Sequence, residues 1–286
     1  MYSLTRTQIQ HFQNKGWVGP LDTFSLAEME PIQGYLANNS KKIKVDAQQL
    51  MEFYNHFLGY KTTREHHFCC QSLLEALKDS RIIERLRQLG ETNLLLWRSN
   101  IFYKLPGQGG IGWHQAIDYY GHDISQEVEE SSKTLVFPKN ENILNLTVWL
   151  AIKDATLENG CLYFANGTHK HTFKAIQVQV SEGVFSYLTN EKMSWQKNKS
   201  YSKVFDFNEQ EWEIEPVPAK AGQIIIFTER VMHSSPANSS SQPRIGINAR
   251  YIRPSVQIYP HRKKGDYIDG TGNDISKWFP ILVSQD

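Results

Sequence analysis

Two histidines and an arginine stand where a site could be built. His114 follows a glycine-rich turn, Pro106-Gly107-Gln108-Gly109-Gly110-Ile111-Gly112-Trp113. His233 follows the apolar run QIIIF and the residues TERVM, and Arg244 opens the downstream segment RIGINARYI. Neutral imidazole is a ligand for a borderline metal such as Fe(II). A guanidinium offers a two-pronged grip on a carboxylate. A histidine on one strand, a second at a strand end and a downstream arginine converge if the chain closes into a barrel. The chain has 10 histidines, which form many such triples, so spacing alone leaves this as one arrangement among several.

Other clusters read more plainly. His66, His67, Cys69 and Cys70 match no zinc-site spacing and precede a helical stretch, so packing accounts for them. His169 and His171 flank Lys170 in a turn and read as structural. No Lys-Ser/Thr pair or helix start follows Gly107, Gly109, Gly110 and Gly112, so they form no phosphate loop. They permit a close approach to the strand that carries His114.

The elements that must position these residues fall into two parts. Residues 1–92 read as mostly helical. Leu4, Ile9 and Phe12 share a helical face that Gly16 ends. Ser25-Leu26-Ala27-Glu28 is a capping box, and Pro31 predicts a short or bent helix after it. Residues 81–89 carry helical periodicity between a cap at Asp79 or Ser80 and a stop at Gly90. From residue 93 to 286 the character changes to short β-branched and aromatic segments: NLLLWRSNIFYKL, ILNLTVWLAI, CLYFAN, QIIIF and IGINARYI. Gly, Pro and Asn punctuate them, as in an all-β sandwich or barrel. Residues 117–142 and 187–213 are polar and read as long, lid-like loops. We read one domain over 1–286, helices first and then a double-layered β core.

Composition narrows the class. With 40% apolar and 21% charged residues, the chain can fill a core and is not a disordered segment. A net charge of +1 with no basic stripe argues against a nucleic-acid partner. The run His261-Arg262-Lys263-Lys264 reads as a solvated loop. Three cysteines suit no disulfide framework. No signal-type opening and no long apolar run stand out, so a cytoplasmic protein without a membrane span is expected.

Four long segments resemble the phytanoyl-CoA dioxygenase superfamily: LTRTQIQHFQNKGWVGP, FYKLPGQGGIGWHQA, LNLTVWLAIKDATLENGCLYFANGTHK and AGQIIIFTERVMHSSPANSSSQPRIGINARYI. The resemblance implies a double-stranded β-helix, or cupin-like jelly roll, with flanking helices. It also implies iron held by two histidines and a carboxylate, with 2-oxoglutarate and O2 as co-substrates. By match, His114 and His233 are the metal ligands. Arg244 binds the far carboxylate of 2-oxoglutarate with Ser235 beside it, Trp149 lies against the co-substrate, and Lys104 lies on the lead-in strand.

The departure is Ala116. The family's hydroxylating members read His-x-Asp, and residues two apart on a strand face one way. Here the motif is His114-Gln115-Ala116, and a methyl group leaves a coordination position open and one negative charge fewer. Chloride could supply both. WHQA, FPKNENILNLTVWLAI and NGCLYF are accordingly similar to the non-haem iron halogenases that act on aminoacyl groups tethered to carrier proteins. The resemblance places Thr147 and Arg250 near halide and co-substrate. Asn100, Phe102, Tyr119, Tyr120 and His122 are candidates for the substrate pocket. The implied function is chlorination of an unactivated C–H bond in a small-molecule or carrier-tethered acyl substrate. Two alternatives stand beside it. One is a hydroxylase or oxidase completed by water or Asp118, although four residues of strand span about 13 Å. The other is a metal-free binding protein of the same fold.

Overall fold

In the computed structural model, residues 2–45, 48–116, 134–139, 143–180, 200–260 and 274–284 are described. Ten strands form two sheets: β1 (Trp17–Asp22), β2 (Leu94–Lys104), β3 (Ile111–His114), β4 (Leu146–Ala151), β5 (Leu162–Ala165), β6 (Ile214–Val217), β7 (Gln223–Thr228), β8 (His233–Ser235), β9 (Arg244–Ile252) and β10 (Ile281–Ser284). The larger sheet has the order β1-β7-β4-β9-β2-β10 and the smaller one β6-β5-β8-β3. Every pairing in them is antiparallel. This is the expected mainly β, jelly-roll architecture.

The larger sheet separates two environments because side chains alternate along its strands. Ile245, Ile247, Ala249 and Tyr251 of β9 join Leu146, Val148 and Leu150 of β4 and Ile224 and Ile226 of β7 in one apolar cluster. Helices α1 (Arg6–Lys15), α2 (Leu26–Asn39), α3 (Gln71–Lys78) and α4 (Ser80–Gln88) cover that face through Phe12, Met29, Ile32, Leu36, Leu73, Leu77 and Ile82. The opposite face, with Arg244, Gly246, Asn248 and Arg250 of β9, turns toward the smaller sheet. Trp17, Trp149, Phe164, Ile225 and Phe227 fill part of the space between the sheets.

The helix ends follow local chemistry. Thr5 and Ser25 each close a capping box, with Gln8 and Glu28 respectively, and Gly16 ends α1 at φ 88°. Asp79 caps α4 by accepting the Arg81 amide at 2.8 Å. Pro31 does not shorten its helix: α2 runs for 14 residues. Burial of Met29, Ile32 and Leu36 against the sheet outweighs one lost helical hydrogen bond. The mostly helical reading of residues 1–92 also needs correction, because a meander of Ser40–Val45, Gln48–Asn55 and Tyr60–Lys61 separates α2 from α3.

The loop readings of 117–142 and 187–213 need correction where residues are described, and residues 117–133, 140–142 and 187–199 lie outside the described residues. Within 117–142, Leu135–Val136 pairs with Gln257–Ile258. Within 187–213, Ser200–Phe205 pairs with Ala175–Val180. The basic run 261–264 lies outside the described residues. All three cysteines are free. No helix among the described residues is long and apolar enough to cross a membrane.

Candidate active site

The two sheets bring His114 and His233 into direct register. They are Cα partners on β3 and β8, with ring centroids 4.1 Å apart. Each ring uses Nδ1 in the same way. His114 Nδ1 lies 2.9 Å from the Gly112 carbonyl and His233 Nδ1 lies 2.9 Å from the Val231 carbonyl. A carbonyl can only accept, so both Nδ1 atoms carry the proton and Nε2 is left as each ring's lone-pair donor. Burial holds His114 down at about 4 and His233 well below its ordinary value. Both rings are therefore neutral at physiological pH, the form a metal requires. The Phe164 and Phe227 rings lie 6.1 and 4.9 Å from His233 and back it with an apolar wall.

The glycine-rich turn serves this approach at one position. A Cβ on Gly110 would meet the Ser235 main-chain oxygen at 2.9 Å, whereas Gly109 and Gly112 have open space. Only glycine at 110 lets the lead-in to β3 lie against the end of β8.

Ala116 is buried, and its amide donates to the Glu229 carbonyl at 2.7 Å. Gln115 is committed elsewhere, donating to the carbonyls of His171, at 2.9 Å, and Arg230. Among the described residues no three His, Cys, Asp or Glu side chains gather to hold a metal. Asp118, Tyr119, Tyr120 and His122 lie outside the described residues.

The other end of the site is cationic. Arg244 on β9 and Lys104 on β2 are Cα partners, 1% and 3% exposed respectively. Arg244 donates to Ser235 Oγ at 2.7 Å and to the Phe102 carbonyl at 3.5 Å, while its Nε is buried without a partner among the described residues. Lys104 Nζ donates to Ser235 Oγ at 2.7 Å and to the main-chain oxygens of Ser235, at 3.0 Å, and Pro236. Burial lowers Arg244 to about 10. It lowers Lys104 to about 7, with Arg244 adding to the effect. Neither has a carboxylate partner among the described residues. Two buried cations sharing a hydroxyl suit a bound anion. Trp149 forms the wall beside them, with the Arg244 guanidinium 5.7 Å from its ring.

Between the two ends, strand alternation lays a polar floor. Asn100 of β2 pairs with Asn248 of β9, which pairs with Trp149 of β4. One step further toward the histidines, Arg98, Arg250 and Thr147 line up across the same strands. Asn100 Oδ1, Asn248 Oδ1 and Thr147 Oγ1 are buried without hydrogen-bond partners among the described residues. Such atoms in a native interior call for a ligand or water. Arg250 acts electrostatically on both histidines, lowering each, which puts it at the histidine end. Phe102 pairs with Gly246 and enters through its carbonyl on Arg244. These orphaned atoms, the two oriented imidazoles and two cations with no carboxylate partner among the described residues suit a metal with a dicarboxylate held by Arg244.

Several contributors escaped the sequence reading. Gly246 seats Trp149: a Cβ there would lie 2.2 Å from the indole. Asn248 sits two further along the same face, and the period of two from Arg244 could have found both. Gly160, at φ 83°, accepts from Ser235 Oγ at 2.8 Å. Glu229 is buried and pushed up to about 7 by that burial. Three other described histidines are used in packing. His66 lies 2.8 Å from Tyr35 Oη, His67 lies 2.8 Å from Ser99 Oγ, and His169 packs on Gly16.

A family model described as Phytanoyl-CoA dioxygenase (PhyH) matches residues 25–246, a span holding both histidines and Arg244. The chain belongs to the phytanoyl-CoA dioxygenase family. That places it among non-haem iron, 2-oxoglutarate-dependent oxygenases. Within the family it is similar to the methylphosphonate hydroxylase of Gimesia maris, 23% identical over 251 residues that cover 87% of this chain and 81% of that one. It is also similar to the dioxygenase lolE1 of Epichloe uncinata, 19% identical over 87% and 77% of the two chains. Its fold matches the structure of CytC3 with Fe(II) and alpha-ketoglutarate at a TM-score of 0.66, with 23% identity over 100% of this chain and 90% of that one. It likewise matches the epimerase SnoN in complex with Fe3+, alpha-ketoglutarate and nogalamycin RO, at a TM-score of 0.62 and 15% identity over 90% and 86%.

Proposed function

We propose that this family member is a halogenase that uses Fe(II), 2-oxoglutarate, O2 and chloride. The observation that carries the reading is Ala116, a buried methyl two residues after a metal-oriented histidine. His114 and His233 hold the metal through Nε2, each ring fixed by the carbonyl at its Nδ1. Arg244, Lys104 and Ser235 grip the far carboxylate of the co-substrate, and Trp149 shields that grip from water. Iron, when bound, would let O2 act as the oxidant, which oxidatively decarboxylates 2-oxoglutarate to succinate and carbon dioxide and supplies the oxidising power that activates an aliphatic C–H bond. Ala116 leaves room at the metal for chloride in place of a carboxylate. Arg250 contributes positive charge and Thr147 a hydroxyl toward that anion. The substrate is a small molecule or an acyl group tethered to a carrier protein. Asn100, Phe102, Tyr119, Tyr120 and His122 are the candidates to line its pocket.

Similarity to the methylphosphonate hydroxylase over most of the chain favours a second reading, hydroxylation with water or Asp118 completing the metal site. Anaerobic reconstitution with Fe(II) and 2-oxoglutarate, with and without chloride or bromide, separates the two. A halide-dependent change in the iron-site spectrum and a halogenated product support the first. The same spectrum and product in both conditions replace it with the second. No iron uptake and no succinate release leave a metal-free binding protein of this fold.

A further inference from the structure

Ala116 is docked by its main chain: its amide donates to the Glu229 carbonyl at 2.7 Å. Gln115, one residue earlier, donates from its side chain to the Arg230 carbonyl. The two residues after His114 are thus strapped to the turn that leads from β7 to His233. That turn is held in its own right. The Glu229 amide donates to the Asn145 carbonyl at 3.3 Å, and Glu229 Oε2 accepts from the Asn145 amide at 3.2 Å. Asn145 Oδ1 in turn accepts from Trp97 Nε1 at 3.1 Å. Ala116, Glu229, Asn145 and Trp97 are all buried. A carboxyl buried this deeply is costly unless its hydrogen bonds hold something in place. The Arg230 guanidinium, 3.7 Å from Oε1, is largely exposed, and an ion pair of that kind contributes little. Arg250 acts electrostatically on Glu229 as it does on both histidines, so Glu229 stands at the histidine end of the site.

We propose that Glu229 is a positioning residue for the open coordination place beside Ala116. Its side chain locks its own peptide to Asn145, and the carbonyl of that peptide sets where the Ala116 methyl stands. This rests on the halide reading above. The two histidines have separate supports. His114 is fixed by the Gly112 carbonyl, His233 by the Val231 carbonyl, and the two are paired across β3 and β8. Loosening Glu229 therefore displaces Ala116 while the imidazoles keep their seats. The co-substrate grip at Arg244, Lys104 and Ser235 lies at the other end of the floor and shares none of these bonds. The effect of Glu229 falls on the third position at the metal, where a small anion needs a cavity of fixed shape. A displacement on the order of 1 Å in a positioned site is worth up to about 100-fold.

The test is a chloride titration of the anaerobic protein loaded with Fe(II) and 2-oxoglutarate, followed by the iron-site spectrum. Glu229→Ala should bind chloride at least about tenfold more weakly, with iron content and 2-oxoglutarate affinity unchanged. Glu229→Gln keeps an acceptor oxygen for the Asn145 amide and should restore the chloride affinity. Trp97→Phe keeps a ring in place and removes the donor to Asn145, so it should weaken chloride in the same direction by roughly threefold. Unchanged chloride affinity in Glu229→Ala overturns the proposal. If that variant does not fold, unchanged affinity in Trp97→Phe overturns it instead. A loss in Glu229→Gln as large as in Glu229→Ala also overturns it, because the charge rather than the hydrogen bond then matters. Loss of iron from Glu229→Ala does so too, since the histidines then depend on the same support. Absence of any chloride response in the unaltered protein removes the halide reading itself, and this inference with it.

Discussion

His114 and His233 face each other across an antiparallel strand pair, and each binds its Nδ1 to the carbonyl two residues before it in the chain. The two rings are thus oriented by the same local device on two different strands. Neither depends on a distant side chain to fix its tautomer. Orientation is therefore set by folding rather than by metal arrival.

Removing either ring should abolish stoichiometric iron binding, because only two protein ligands are proposed. Metal analysis after anaerobic reconstitution of His114→Ala and His233→Ala checks this. A single-histidine variant that holds one iron and turns over would remove the ligand assignment. His169→Ala, altered at a ring that packs on Gly16, should retain its iron.

Arg244→Ala should weaken 2-oxoglutarate binding by at least about tenfold. Loss of a buried charge partner is worth roughly 2–5 kcal/mol. Titration of the metal-to-ligand absorption band measures it. Iron content should stay unchanged, since Arg244 lies at the opposite end of the floor from the histidines. Unaltered affinity would exclude Arg244 from the role.

Gly246→Ala should act on the same affinity from the other side. Its Cβ would lie 2.2 Å from the Trp149 indole, so the ring must move off its seat beside Arg244. Overpacking of this kind costs about 1–3 kcal/mol. A lowered melting temperature together with weaker 2-oxoglutarate binding is the expected pair of results. Lower stability with unchanged affinity would show that the Trp149 wall plays no part in co-substrate binding.

Ala116→Asp should restore a carboxylate two residues from His114 and end the chloride dependence of the iron-site spectrum. Hydroxylation need not follow, because substrate placement also steers the outcome. A variant whose spectrum still responds to chloride would mean that the halide binds elsewhere.

Glu229 predicts a pH dependence of stability. Its carboxyl titrates at about 7 in the folded protein against 4.5 when exposed. Below 4.5 both states hold the proton, and the burial of the neutral acid costs nothing extra. Between those values the unfolded chain ionises while the folded one does not, so stability falls as pH rises and levels off above 7. The loss attributable to this group is on the order of 3 kcal/mol. Denaturant midpoints across that window should show the slope, and Glu229→Gln should flatten it. An identical slope in the variant would assign it to other groups.

Much of the molecule was legible in linear order. The β segments announced themselves by β-branched and aromatic runs, and the capping box at Ser25 and the stop at Gly16 depend only on neighbours a few residues away. Spacing alone left His114, His233 and Arg244 as one arrangement among several; the family resemblance singled them and Ala116 out, and only the fold sets His114 opposite His233. Tertiary structure decided the rest. Lys104 meets Ser235 across 131 residues of sequence, and no local rule joins a lysine on one strand to a hydroxyl on another sheet. The meander after α2 was hidden for a similar reason, since strand pairing is settled by partners rather than by propensity. Gly246 and Gly160 are glycines because an indole and a carbonyl lie where a Cβ would go. The protonation states of Lys104 and Glu229 follow from burial and from the charges folded against them. A residue's type states which proton it can hold, and only its surroundings decide whether it does.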